Sequence, residues 1–168
     1  GQDFTSVTST NNVAVGYEAG GGLTTGASST LIGSNAGVYI STADNSTFMG
    51  FKAGQGITGA RLTGDNNVAI GKNSGLLLQG AAHSNTLVGT EAGSSLTTST
   101  SNTAVGFEAL STASNFGENT AIGYGSQKAS SSGHSNTSVG HDSLLSLNSG
   151  TLNVAVGHDA GMFLTTAS

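Results

Sequence analysis

A short apolar segment closed by glycine recurs nine times along the chain, and this recurrence limits the possible fold more than any other feature. It reads NNVAVG, SSTLIG, NSTFMG, NNVAIG, SNTLVG, SNTAVG, ENTAIG, SNTSVG and LNVAVG. The closing glycines are Gly16, Gly33, Gly50, Gly71, Gly89, Gly106, Gly123, Gly140 and Gly157, at intervals of 17, 17, 21, 18, 17, 17, 17 and 17 residues. A fixed period of this size marks stacked repeats, each too small to bury an apolar face without its neighbours. The chain therefore reads as all-β, a single repeat domain over residues 1–168 in which nine coils form a parallel β-roll or β-solenoid. Rungs about 4.8 Å apart make it a rod about 4–5 nm long.

The columns of the aligned repeat have separate physical readings. Directly before the glycine stands Val15, Ile32, Met49, Ile70, Val88, Val105, Ile122, Val139 or Val156. This column is always apolar and mostly β-branched, which suits a strand side chain directed into the coil. Three before the glycine is Val or Thr, and strand alternation places that column on the same face. Four before it comes Asn or Ser (Asn12, Ser29, Ser46, Asn67, Asn85, Asn102, Asn119, Asn136, Asn153), residues that support turns and, in register, can bond along the stack. Three after the glycine is always Ala or Ser, so space there is tight. Seven after it is Leu or Ile in most copies, as in Leu23, Ile40, Ile57 and Leu78, with Ala113 and Ser130 as departures.

The column two before the glycine points away from the aliphatic one: Ala14, Leu31, Phe48, Ala69, Leu87, Ala104, Ala121, Ser138 and Ala155. On this reading it faces outward, yet only Ser138 is polar. An outward apolar column needs a cover, and a cyclic oligomer is the simplest one. Ala14, Leu31, Phe48, Ala69, Leu87, Ala104, Ala121 and Ala155 are accordingly the expected trimer interface.

Motifs such as NNVAIG and NTAVGFEA resemble the head repeats of trimeric autotransporter adhesins, and similar repeats in phage tail fibres, over Asn11 to Ala167. The resemblance implies a left-handed β-roll, three chains side by side about a threefold axis, and a role in attachment at a cell surface. The period is longer than is usual in the autotransporter heads, which leans the resemblance toward fibre-type members. A left-handed hexapeptide helix would need an aliphatic residue six after each anchor. Gly21, Val38, Gln55, Leu76, Ser94 and Ser111 do not supply it.

Other function classes find little support. The net charge is −5, and Lys52, Arg61, Lys72 and Lys128 are dispersed, so no nucleic-acid footprint exists. Absence of cysteine excludes disulfides and thiolate metal sites. No apolar run approaches the roughly 18 residues of a membrane-spanning helix. No signal peptide is visible at Gly1, and the chain reads as a piece of a longer fibre whose open solenoid edges would be capped elsewhere.

Carboxylates recur two after the glycine (Glu18, Glu91, Glu108, Asp142, Asp159). A glycosidase needs a facing pair, and a one-sided column has no second wall. His141-Asp142 and His158-Asp159 lie one period apart and read either as a metal or proton site or as polar residues after the corner; the second reading is preferred. Thr30, Thr47, Thr86, Thr103, Thr120 and Thr137 would suit ordered water, but they share the face taken as interior. No catalytic, cofactor or metal residue is assigned, and no enzyme activity is expected. The lengthened copy between Gly50 and Gly71 is the candidate ligand loop, through Gln55, Thr58, Arg61 and Asp65.

The expected function is a structural and adhesive segment of an extracellular or virion fibre. Its expected partners are two further copies of the chain and a cell-surface glycan or protein receptor. The alternatives are a self-assembling filament or sheath subunit and, further off, an ice-binding or polysaccharide-degrading β-helix.

Overall fold

The computed structural model describes residues 8–112 and 116–166; both extreme ends of the 1–168 domain, together with Ala113 and Ala167, lie outside these. Nine three-residue strands run in chain order: β1 (Val13–Val15), β2 (Thr30–Ile32), β3 (Thr47–Met49), β4 (Val68–Ile70), β5 (Thr86–Val88), β6 (Thr103–Val105), β7 (Thr120–Ile122), β8 (Thr137–Val139) and β9 (Val154–Val156). They form one parallel sheet in the order β1 to β9, each strand bonded to its sequence neighbours. Register is exact by repeat position, so that Ala14 lies beside Leu31 and Leu31 beside Phe48. The chain is a β-solenoid, and the described residues contain no helix.

The corner after each strand explains the glycine column. All nine anchor glycines have φ between 128° and 138°, a region that side chains with a Cβ rarely enter. Space forbids a side chain as well. A Cβ on Gly106 would lie 2.3 Å from the carbonyl oxygen of Gly123 on the next rung. Each coil also turns through left-handed backbone five before, two after and four after the glycine, as at Asn66, Asn73 and Gly75 in coil four.

The four-before column forms an internal ladder. Asn102 donates from Nδ2 to Asn85 Oδ1 at 3.1 Å and to the Phe116 carbonyl at 3.0 Å. Its own Oδ1 accepts from the backbone N–H of Asn119 at 3.1 Å and more weakly from Asn119 Nδ2 at 3.4 Å. Asn67, Asn85, Asn119 and Asn136 repeat the scheme. Stacked amides so satisfied can stay buried at no orphan cost. In coils two and three, Ser29 and Ser46 take over the role, with Ser46 N–H donating to Ser29 Oγ at 3.1 Å.

The structure reverses the two strand faces. Leu31, Phe48, Ala69, Leu87, Ala104, Ala121 and Ser138 are wholly buried within the single chain, and Ala14 packs against the same core. Ala155, in the last strand, continues that column in register beside Ser138. The residues expected at a trimer interface therefore line the lumen of the coil, and that assignment is withdrawn. The aliphatic column is the outer one: Val15 is 58% exposed, Ile122 39% and Val156 69%. Thr30, Thr47, Thr103, Thr120 and Thr137 are half-exposed beside it, and Thr86 is exposed.

The reason is width. A coil of about 17 residues encloses a narrow lumen, and two of its walls are the Ala/Ser column and the residue four after the glycine. In coils two, three and five to eight bulky and small residues trade places across that gap, whereas in coils one, four and nine both are small, as with Ala69 and Gly75. Leu31, Phe48 and Leu87 face Gly37, Gly54 and Gly93, where an added Cβ would lie 2.6–2.9 Å from the opposing side chain. Where the strand residue is Ala104, Ala121 or Ser138, the facing position holds Leu110, Gln127 or Leu144, all buried and all with φ near 50°. Left-handed leucine costs about 1–2 kcal/mol, which filling the lumen offsets.

The extra residues after Gly50 form a tight hairpin in which Ile57 pairs antiparallel with Ala60. Leu62 then re-enters the stack, parallel to Ile40 and Gly80. It is wholly buried while Ile57 is half-buried, so Leu62 takes the interior position that the spacing gives to Ile57.

Candidate functional site

The surface offers three features built by the repeat: the outer strand face, a ring ladder at the corner, and the hairpin of coil three. The outer strand face is an in-register parallel sheet with two columns, Thr or Val on one side and Val, Ile or Met on the other. In-register pairing sets each column at the strand spacing along the axis. No charged residue interrupts either column.

The ring ladder is made by the residue directly after the glycine. Phe107 stacks on Tyr124 with centroids 5.3 Å apart and planes 13° apart. Tyr124 stacks on His141 at 4.8 Å and 8°, and His141 on His158 at 4.8 Å and 12°. Four rings thus repeat the strand register outside the coil. Each imidazole has its own carboxylate one residue on. His141 Nδ1 is 3.3 Å from Asp142 Oδ2, and His158 Nδ1 is 3.1 Å from Asp159 Oδ2. The left-handed backbone at Asp142 and Asp159 places the carboxylates beside the preceding rings.

Neighbouring rungs also link charges. Lys128 Nζ lies 2.5 Å from Glu108 Oε2, and this hydrogen bond holds the ammonium above the usual lysine range. At the other end of the rod, Glu18 raises the Tyr17 phenol, first through a hydrogen bond and then through its charge. The acids of the two-after column serve as turn residues, all at positive φ.

The structure divides the candidate ligand loop. Arg61 reaches back across the stack, and its Nη1 donates to the Gly22 carbonyl at 2.8 Å. It borders a shallow cleft of about 200 Å³ with Glu18, Gly21, Gly22, Val38 and Tyr39. Asp65 belongs to the scaffold instead, since its Oδ1 accepts from the Asp44 N–H at 2.8 Å. Asp44 in turn accepts from Ala27 N–H at 2.6 Å. The Gln55 carbonyl accepts from Tyr39 N–H at 2.8 Å, and Thr58 lies exposed at the hairpin tip. Of the four, Arg61 alone borders the cleft.

Sequence reasoning missed a second cleft, of about 410 Å³, lined by Thr100, Phe116, Gly117, Glu118, Ser132 and His134. Its residues come from the return segments of coils five to seven, where the columns are too variable to mark it. Comparison of the chain with family models, with curated proteins and with solved structures gives no match.

Proposed function

We propose that this chain is a structural and adhesive segment of an extracellular fibre, three copies standing side by side with their outer strand faces together. The observation that carries the reading is that outer face. Nine rungs present an uncharged column of Val, Ile and Met to the surroundings of the single chain. A continuous apolar strip on a rigid rod is the kind of surface that oligomers bury. Left-handed coils and a threefold axis accord with the resemblance of NNVAIG and NTAVGFEA to trimeric fibre repeats. The ring ladder and the two clefts then lie off the strand face, free to meet a cell-surface glycan or protein, and repetition along three chains would add avidity.

Light scattering on the purified chain tests this. Three times the chain mass is the expected result, and Val105→Asp should reduce it to one chain without altering the circular dichroism spectrum. A monomer at all concentrations would overturn the reading.

A second reading gains from the reversed faces. The threonine column, expected inside, stands outward beside the aliphatic column, making an in-register array of hydroxyl and methyl groups. Such an array suits ordered water, so a monomer that also shapes ice crystals would favour an ice-binding solenoid. Replacing Thr103 and Thr120 with Tyr should then abolish the shaping.

A further inference from the structure

Two histidines one repeat apart carry chemistry that a corner position does not need. The donor atoms of His141, His158 and Asp159 all lie within 4.8 Å of one another. The two rings are not independent rotors. They stack 12° from parallel, and Tyr124 and Phe107 continue the same stack beneath them. Donors on a common ion, each about 2.0–2.2 Å from it, stand closer than 4.8 Å, so binding turns both rings out of the stack until their lone pairs converge. Side-chain exposure is 47% at His141, 70% at His158 and 46% at Asp159, so the turn gives up ring stacking but disturbs no buried packing.

We propose that His141, His158 and Asp159 form a binding site for a divalent transition metal ion, bridging coils eight and nine. Two imidazole nitrogens and one carboxylate select zinc, nickel, copper or iron over calcium and magnesium, which require oxygen cages. Asp142 has a separate part. Its carboxylate lies 3.3 Å from His141 Nδ1, where it orients the ring without being one of the three donors. Three protein donors leave one or more positions for water or for an incoming ligand. The site needs no second chain and does not depend on the fibre reading.

Calorimetric titration of Zn²⁺ into the metal-stripped full chain tests the proposal, with Ca²⁺ as the hard-cation control. One Zn²⁺ per chain is expected, with no heat from Ca²⁺. His141→Ala and His158→Ala should each weaken binding at least about tenfold, and Asp142→Asn by about tenfold through His141. His134→Ala should leave the isotherm unchanged, since that residue belongs to the coil-seven cleft. Circular dichroism of each variant checks that the coils remain folded. An unchanged affinity in either His141→Ala or His158→Ala, or a loss of binding in His134→Ala, would overturn the site.

Discussion

Coils two to five enclose a mainly apolar lumen, whereas coils seven and eight mix serine and glutamine with Leu144 and Leu147 within the same backbone. The first group is filled by Leu31, Ile40, Phe48, Leu62, Leu78, Leu87 and Leu96. In the second, Gln127, Ser126, Ser130, Ser138 and Ser143 are buried beside the amide ladder, and Ser126 Oγ bonds Ser138 Oγ at 2.7 Å and Ser143 Oγ at 3.1 Å. Gln127 donates to Asn119 Oδ1 at 3.0 Å, but its own Oε1 and the Ser130 hydroxyl have no partner among the described residues. Yet strand pairing and corner φ values run through both regions unaltered, and a side-chain ladder continues through both, built on Ser in coils two and three and on Asn beyond. The coil is thus specified by its turns and its ladder, and the lumen filling has only to match in volume.

The largest effect that could break this view is at the corner. Gly106→Val should prevent folding, at a cost of more than about 4 kcal/mol, because the new side chain meets the Gly123 backbone. Gly140→Val should do the same in the polar region. A tolerated substitution at either, read by thermal melting, would show that the corner does not govern the coil.

Lumen substitutions should separate the regions. Phe48→Ala empties the apolar lumen and should cost about 3–5 kcal/mol. Gln127→Met keeps the volume and removes the partnerless oxygen, so it should change stability by about 1 kcal/mol or less, or raise it. Equal losses by chemical denaturation would mean that the polar lumen is as closely specified as the apolar one. The ladder offers the finest test. Asn102→Ala orphans the Asn119 N–H and the Phe116 carbonyl and should cost about 3 kcal/mol. Asn102→Ser copies the arrangement at Ser29 and Ser46 and should lose about half as much.

Much of this was legible in the sequence. Nine coils, their register, the tight Ala/Ser column and the stacking of Asn all follow from spacing and residue type. Which strand face is interior did not follow, because alternation relates two faces without saying which one is enclosed. A mostly β-branched column suggested the inside, whereas the narrow lumen accepts Ala, or Leu opposite Gly, and leaves Val and Ile outside. Pairs such as Leu31 with Gly37 and Ala104 with Leu110 held that information. It was legible only as a correlation between columns. The His-Asp pairs were visible one period apart, but their ring stacking on Tyr124 and Phe107 needed the corner geometry. Arg61 and Asp65 stand close in sequence, and nothing in their spacing tells a clamp on Gly22 from a link in the backbone ladder.

Strand pairing and the amide ladder join each rung only to the rung before and after it, so these bonds lie in series along the rod, while the Arg61 bond to Gly22 skips a rung near one end. A pull along that axis puts the same tension on every junction, and the end coil, held on one side only, peels away first while those behind it stay closed. Each release pays out one repeat of chain, in steps set by the 17-residue period, with a longer step at the hairpin of coil three. Under tension the molecule would yield as a ratchet of equal lengths, and shorten by the same steps when the load is removed.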